Sequence, residues 1–296
     1  MTGTAGVDAR SASSALVGPD LADLRRVVAT ALEEDLRYGP DATTAATVPS
    51  DAVAVAAFAA REPGVLAGLP AVRAVLDEVV GEYEVLDTRA DGDRLAAGDS
   101  ALTVRAPVRG LLTAERTALN LLCHLSGVAT ATAAWVDAVA GTGARIRDTR
   151  KTLPGLRLLE KYAVRCGGGV NHRLGLGDAV LIKDNHVAAA GSVGAALEAA
   201  RAAAPDLPYE VEVDTLDQLD EVLALGAELV LLDNFDVERT REAVRRRGDR
   251  PTKLESSGGL ALENARAYAE TGVDYLSIGA LTHSVRALDL GLDLRP

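Results

Sequence analysis

The rhythm of apolar positions along the chain changes near residue 145. Before that point, residues 21–36 ("LADLRRVVATALEEDL") carry apolar side chains at helical spacing behind Asp20, a ready N-cap. A turn-rich loop follows, then short strands around a Pro-Gly turn within 52–66, a helix over 70–80, and strands over 83–89 and 101–108. Residues 114–126 ("AERTALNLLCHLS") predict a helix capped by Thr113 and stopped at Gly127, and 128–140 predict another that closes on Gly141. Arg116, Asn120 and His124 fall four apart in the first of these, in one polar stripe.

Beyond 145, short apolar runs alternate with amphipathic helices. Strands are expected at 145–149, 179–184, 209–214, 229–234, 253–256 and 275–279, with helices at 191–204, 215–225, 236–247 and 261–271. Regular strand–helix–strand alternation means parallel pairing with right-handed crossovers. Six strands fall short of the eight of a full barrel, so the expected shape is an incomplete or irregular one.

Charge sharpens this picture. The chain is strongly acidic, at −12, which disfavours nucleic acid and anionic membrane as partners. Yet residues 145–173 hold eight Lys or Arg against Asp148 and Glu160, a reversal that marks an anion site. Arginine has taken over the generic cation role, and the four lysines, Lys151, Lys161, Lys183 and Lys253, lie where a compact ammonium differs from a planar fork. Cys123 and Cys166 have no ligand or disulfide spacing, so a reducing cytoplasm fits best. Residues 1–20 read as a loose tail without the apolar core of a signal peptide, and no run approaches the roughly 18 apolar residues of a membrane helix.

In βα folds, chemistry gathers at the carboxyl ends of strands, and here those ends are polar: Thr149, Arg150, Lys151; Lys183; Glu212, Asp214; Asp233; Ser257, Gly258, Gly259; Gly279, Ala280, Leu281. The glycine turns "ESSGGL" and "SIGALT", each beside a hydroxyl residue, favour a phosphate. Strict alternation in "YEVEVD" puts Glu210, Glu212 and Asp214 on one face, either solvated or aimed into a barrel mouth where a cation or sugar hydroxyls hold them. Arg157 and Arg165 read as a solvated helix face. Arg150, ending a strand, and Arg173, after a glycine run and beside His172, suit bidentate anion binding.

"RDTRKTLPGLRLLEKYAVRCGGGVNHRLGLGDAVLIKDNH", then "EVEVD", "LLDN", "ESSGG" and "IGALTHS", resemble quinolinate phosphoribosyltransferases, in the family's order, from about residue 20 to the end. "TAERTALNLLCHLSGVAT" matches as well. The resemblance implies an N-terminal α/β sandwich (21–127) and an atypical, incomplete parallel α/β barrel (128–283) with phosphate-binding loops at its strand ends. It implies a final segment (284–296) that returns to the first domain. It also implies a homodimer, or a higher oligomer built on it, in which Arg116 reaches the neighbour's site.

Through the resemblance, Arg150, His172, Arg173 and the neighbour's Arg116 would hold the quinolinate carboxylates, with Thr149 beside them. Lys151 and Lys183 would serve the pyrophosphate of phosphoribosyl pyrophosphate and a substrate carboxylate. Glu212 and Asp233 would contact the ribose hydroxyls or substrate-bound Mg²⁺. Ser257, Gly258, Gly259, Gly279, Ala280 and Leu281 would cradle the 5-phosphate. No organic cofactor is implied. Rival readings are a Schiff-base aldolase using Lys183, a nicotinate-specific relative, a molybdate-linked paralogue and a sensor of a phosphorylated metabolite.

Overall fold

The computed structural model describes residues 17–295, so residues 1–16 of the expected tail lie outside the described residues. The chain opens with α1 (Leu21–Leu36), whose first turn is capped by the Asp20 carboxylate accepting from Asp23 N at 2.8 Å, and α2 (Ala42–Thr47). Then come β1 (Val53–Ala60), β2 (Gly64–Val65), α3 (Leu69–Val79), β3 (Glu84–Thr88), β4 (Arg94–Leu95), β5 (Ser100–Pro107) and α4 (Val108–Ala138). The second half runs β6 (Arg145–Arg147), α5 (Arg157–Cys166), β7 (Val180–Ile182), α6 (Asp184–Ala190), α7 (Val193–Ala203), β8 (Tyr209–Val213) and α8 (Leu216–Ala224). It continues through β9 (Leu229–Asp233), α9 (Val237–Arg247), β10 (Lys253–Ser257), α10 (Leu262–Ala269), β11 (Tyr275–Ser277), α11 (Ala280–His283) and β12 (Leu290–Arg295).

Antiparallel β12, β1, β5 and β3 make the first sheet, in that order, with Phe58 opposite Leu292 on one side and Leu102 on the other. Helices α1, α3 and α4 pack together beside it. The second sheet is entirely parallel, in the order β6-β11-β10-β9-β8-β7. Its two outer strands do not pair. In the gap beside β6 runs the segment 170–179, joined to that strand by a single parallel bridge between Arg147 and Val170. This is the incomplete α/β barrel that the alternation predicts.

Both faces of these strands are covered, by helices outside and side chains within. Ile146, Val211, Val230, Leu254 and Leu276 are buried against the helices, while the alternate positions carry Arg147, Glu210, Glu212, Leu231 and Glu255.

Three sequence expectations need correction. The helices expected at 114–126 and 128–140 are one, α4, which passes through position 127 without a break. Gly127 is no stop: a Cβ there would lie 2.4 Å from Arg286 O, so the glycine lets the chain leading to β12 cross the helix closely. Thr113 sits inside α4 and donates to Asp41 Oδ2 at 3.3 Å instead of capping it. By length and composition α4 also passes for a membrane span, against the reading that no run comes near one; it is packed on α3, α5 and β2, as a core helix is. Lastly, 191–204 is preceded by a separate short helix, because the chain turns into α6 straight after β7, with His186 Nδ1 accepting from Lys183 N at 2.9 Å.

Candidate active site

The strands of the barrel converge on a cavity of about 360 Å³ at their carboxyl ends. Thr149, Arg150 and Lys151 reach it from beyond β6, His172 and Arg173 from the 170–179 segment, and Lys183 from the end of β7. Glu212, Asp233 and Ser257 come from β8, β9 and β10. Leu181, Leu231 and Ser277 complete the lining; the signal that could have found them is only their place on the inward face of the strands.

One side of the cavity is cationic. The Nε atoms of Arg150 and Arg173 are buried without an acceptor among the described residues. Arg173 is anchored through Nη1 to Ala179 O at 3.0 Å. Burial, and then the neighbouring Arg150, push its guanidinium down from the ordinary value. Two such groups with unused N–H bonds have the chemistry to take an anion.

Facing them are Glu212 and Asp233. Glu212 is paired with Lys183 Nζ, and Asp233 Oδ2 accepts from Asn234 Nδ2 at 2.7 Å. Burial first, then Asp214, raises the Asp233 carboxyl. Asp214 itself is exposed just past β8.

His172 lines the cavity with both ring nitrogens engaged. Nδ1 accepts from Arg173 N at 2.7 Å, so the proton belongs on Nε2, which lies 2.8 Å from Glu210 Oε2. Burial lowers its pKa to about 4, keeping the ring neutral near pH 7.

Glu210, read from sequence as either solvated or aimed into a barrel mouth, does turn inward, but onto protein partners. Below the cavity it meets Arg147 at 3.6 Å, and Arg147 is also paired with Glu255 while stacking over Tyr275 at 5.1 Å. Glu210 and Glu255 are each raised to about 7, chiefly by burial. His172, Glu210 and Glu255 could group around a metal, with ligand atoms within 4.8 Å of one another. Arg147 already sits on both carboxylates, so the cluster reads as an ionic floor. Its signal was present in sequence, as opposite charges set between aliphatic residues in "RIR" and "EVE".

Arg157 and Arg165 are not the solvated face expected of them. Arg157 donates to Thr152 Oγ1 and Leu174 O, and Arg165 to Asn171 Oδ1, so both tie down loops.

The glycine turns lie at the rim, outside the cavity lining. Gly258 and Gly259 have φ of 83° and 64°, and a Cβ on Gly258 would be 2.2 Å from Asn234 Oδ1. A Cβ on Gly279 would be 2.9 Å from Lys151 Cδ. No described residue accepts from the backbone N–H groups of Gly258, Gly259, Gly279 or Ala280. Leu281 turns its side chain into the core at 1% exposure. Arg116 is exposed on α4 and does not line its own chain's cavity, while His124, two turns on, binds Glu160 Oε1 at 2.8 Å.

Two family models match nearly the whole described chain: Quinolinate phosphoribosyl transferase, N-terminal domain, over residues 41–126, and its C-terminal domain over 128–293. The chain is 66% identical over 274 residues to the nicotinate-nucleotide pyrophosphorylase (carboxylating) of Mycobacterium leprae, covering 91% of this chain and 96% of that one. It is 43% identical over 243 residues to the probable enzyme of the same name in Bacillus subtilis, covering 81% and 83%. Among solved structures, the nicotinate-nucleotide pyrophosphorylase from Francisella tularensis superposes with a TM-score of 0.90 at 36% identity, covering 96% of this chain and 100% of that one.

Proposed function

The chain belongs to the quinolinate phosphoribosyltransferase family, and we propose that it joins quinolinate to 5-phosphoribosyl 1-pyrophosphate, giving nicotinate mononucleotide, pyrophosphate and CO₂, a step of NAD biosynthesis. The observation that carries this reading is a cavity with the buried, acceptor-free Nε–H groups of Arg150 and Arg173 on one side and two carboxylates on the other. A dicarboxylate suits the first side. A ribose centre developing positive charge suits the second.

Arg150 and Arg173 take the carboxylates as planar forks, Lys151 and Lys183 act as point charges, and Thr149 lies between them and the strand. The pyridine nitrogen attacks the anomeric carbon as its bond to pyrophosphate breaks, so no covalent nucleophile is needed and catalysis is positioning and charge stabilisation. Once quaternary, the ring nitrogen draws the electron pair of the adjacent carboxylate's C–C bond as CO₂ departs, and the ring carbon left behind takes a proton. His172, neutral, with Nδ1 accepting from Arg173 N and Nε2 in contact with Glu210, holds Arg173's backbone and sets one wall; it reaches a carboxylate only by exchanging its Glu210 contact. Ser257, Gly258, Gly259, Gly279, Ala280 and the backbone of Leu281 receive the 5-phosphate, a role supported by the unused N–H groups of Gly258, Gly259, Gly279 and Ala280.

Mg²⁺ enters with the pyrophosphate. Glu212 and Asp233 are hard oxygen donors of the kind it takes, yet each already has a protein partner, which fits a metal carried by substrate better than a resident one. Bound there, it would neutralise charge on the leaving pyrophosphate.

The assembly is a homodimer in which Arg116 completes the neighbour's cavity; its exposure and its distance from its own lining support this. The two free thiols favour a reducing compartment, the cytoplasm. A Schiff-base role for Lys183 is disfavoured by its carboxylate partner Glu212. The test is product formation with quinolinate or nicotinate as acceptor. Nicotinate mononucleotide should appear with quinolinate alone, and equal turnover of nicotinate would overturn the assignment.

A further inference from the structure

Lys161 is one of the four lysines the sequence singles out, and the reaction does not use it. It lies on α5 with its side chain 1% exposed. Its ammonium pairs with Asp148 and donates to His172 O at 2.9 Å. Asp148, fully buried, also accepts from His172 N at 2.8 Å and, through Oδ2, from Asn171 Nδ2 at 2.6 Å. Asn171 Nδ2 closes the ring by donating to Lys161 O at 2.8 Å. Every donor and acceptor in this ring belongs to one of three pieces of chain: the end of β6, the helix α5, and the segment after the glycine run.

Two of those pieces carry the cationic side of the cavity. Asp148 directly precedes Thr149, Arg150 and Lys151, and Asn171 directly precedes His172 and Arg173. Elsewhere in the barrel, neighbouring strand ends are held in register by ladder hydrogen bonds. Here the ladder is cut to one bridge, with Val170 N donating to Ile146 O at 2.8 Å and Asp148 N to Val170 O at 3.1 Å, and among the described residues no backbone pairing continues beyond it. Side chains must set the spacing that strands set elsewhere. Glu160, beside Lys161 on α5, steadies the far side of the first segment by accepting from Leu153 N at 3.1 Å.

We propose that Lys161 and Asp148 are positioning residues whose buried ion pair, with Asn171, sets the separation of Arg150 from Arg173 and so the affinity for the dicarboxylate substrate. This rests on the function proposed above. A buried ion pair can often be replaced by apolar groups without loss of stability, so the pair's place at a seam of the binding site points to geometry rather than to stability. A lysine suits the place, since one compact ammonium bridges a carboxylate and a carbonyl where a planar fork would not fit both. Of the groups assigned to the phosphoribosyl donor, Lys151 follows Asp148 on this segment, while those on β8, β9 and β10 are held by their own ladder.

The experiment compares wild type with Lys161→Met, Lys161→Met/Asp148→Asn and Asn171→Ala, measuring thermal melts, kcat and KM for each substrate. The expected result is a rise in KM for quinolinate of about 10- to 100-fold in the folded pair variants, with a much smaller rise, by way of Lys151, in the KM for phosphoribosyl pyrophosphate. Asn171 is only half-buried, so its variant should fold even where the others do not, and it should show a smaller rise of the same selectivity. A merely structural pair would lower the active fraction, and hence kcat, with both KM values unchanged. Unchanged KM for quinolinate in Asn171→Ala, or a proportional rise in both KM values, overturns the proposal. Wild type inactive toward quinolinate would instead sink the functional reading itself.

Discussion

Replacing Glu255 by Gln should shift stability toward the variant, relative to wild type, as pH rises. Glu255 has no solvent exposure, and burial outweighs its pairing with Arg147, leaving its pKa at about 7 against an ordinary 4.5. Between those values the folded chain binds a proton that the unfolded chain does not. Stability contributed by that proton is present below the ordinary value and is lost as pH rises through the folded one. From about pH 5.5 to about pH 8 the loss is about 2 kcal/mol, taken at about 1.4 kcal/mol per unit of separation. Gln keeps the shape and the acceptor for Arg147 but has no proton to lose. His172, lowered to about 4, gives the opposite slope, yet it does so in both chains and largely cancels in the difference. The assay is urea unfolding of both chains at the two pH values. A difference that stays flat, or shrinks as pH rises, would refute the reasoning.

Gly127→Ala should be destabilised by about 1–2 kcal/mol although alanine is the better helix former, because a Cβ 2.4 Å from Arg286 O must push the crossing chain away; a raised melting temperature would contradict this. Gly258→Ala combines a left-handed φ of 83° with contact on Asn234, and should raise the KM for phosphoribosyl pyrophosphate by about 10-fold while sparing that for quinolinate, as steady-state kinetics would read. Arg116→Ala and Arg150→Ala should each be inactive alone, while a randomly reassociated mixture regains roughly a quarter of wild-type activity, since mixed dimers hold one intact site; no regain would exclude delivery across an interface.

How far the residues alone reach can be judged from particular elements. The parallel strands were readable because helices and apolar runs alternate with little interruption, and their polar ends pointed to the cavity that Thr149, Arg150, Lys183, Glu212 and Asp233 line. Two things resisted. A glycine in a helical pattern has the same appearance whether it ends the helix or admits a neighbour, and only the crossing at Arg286 decides for Gly127. Alternation in "EVEV" signals a half-exposed strand in an open sheet, whereas in a barrel the polar face is inside, where Glu210 needs Arg147 from a strand 63 positions away in the sequence numbering. Lys161 was conspicuous as a lysine among arginines, but its partner Asp148 looked like a stray acid in a basic segment until α5 brought the two together.

The most direct test of the account is release of CO₂ from carboxyl-labelled quinolinate by wild type and by Arg150→Ala, with phosphoribosyl pyrophosphate and Mg²⁺ each present or omitted. Release that requires both substrates and collapses in the folded variant is the expected result, because Arg150 brings an acceptor-free guanidinium edge to the cavity. Release that survives the substitution, or its absence from well-folded wild type, would contradict the site and the reaction assigned to it.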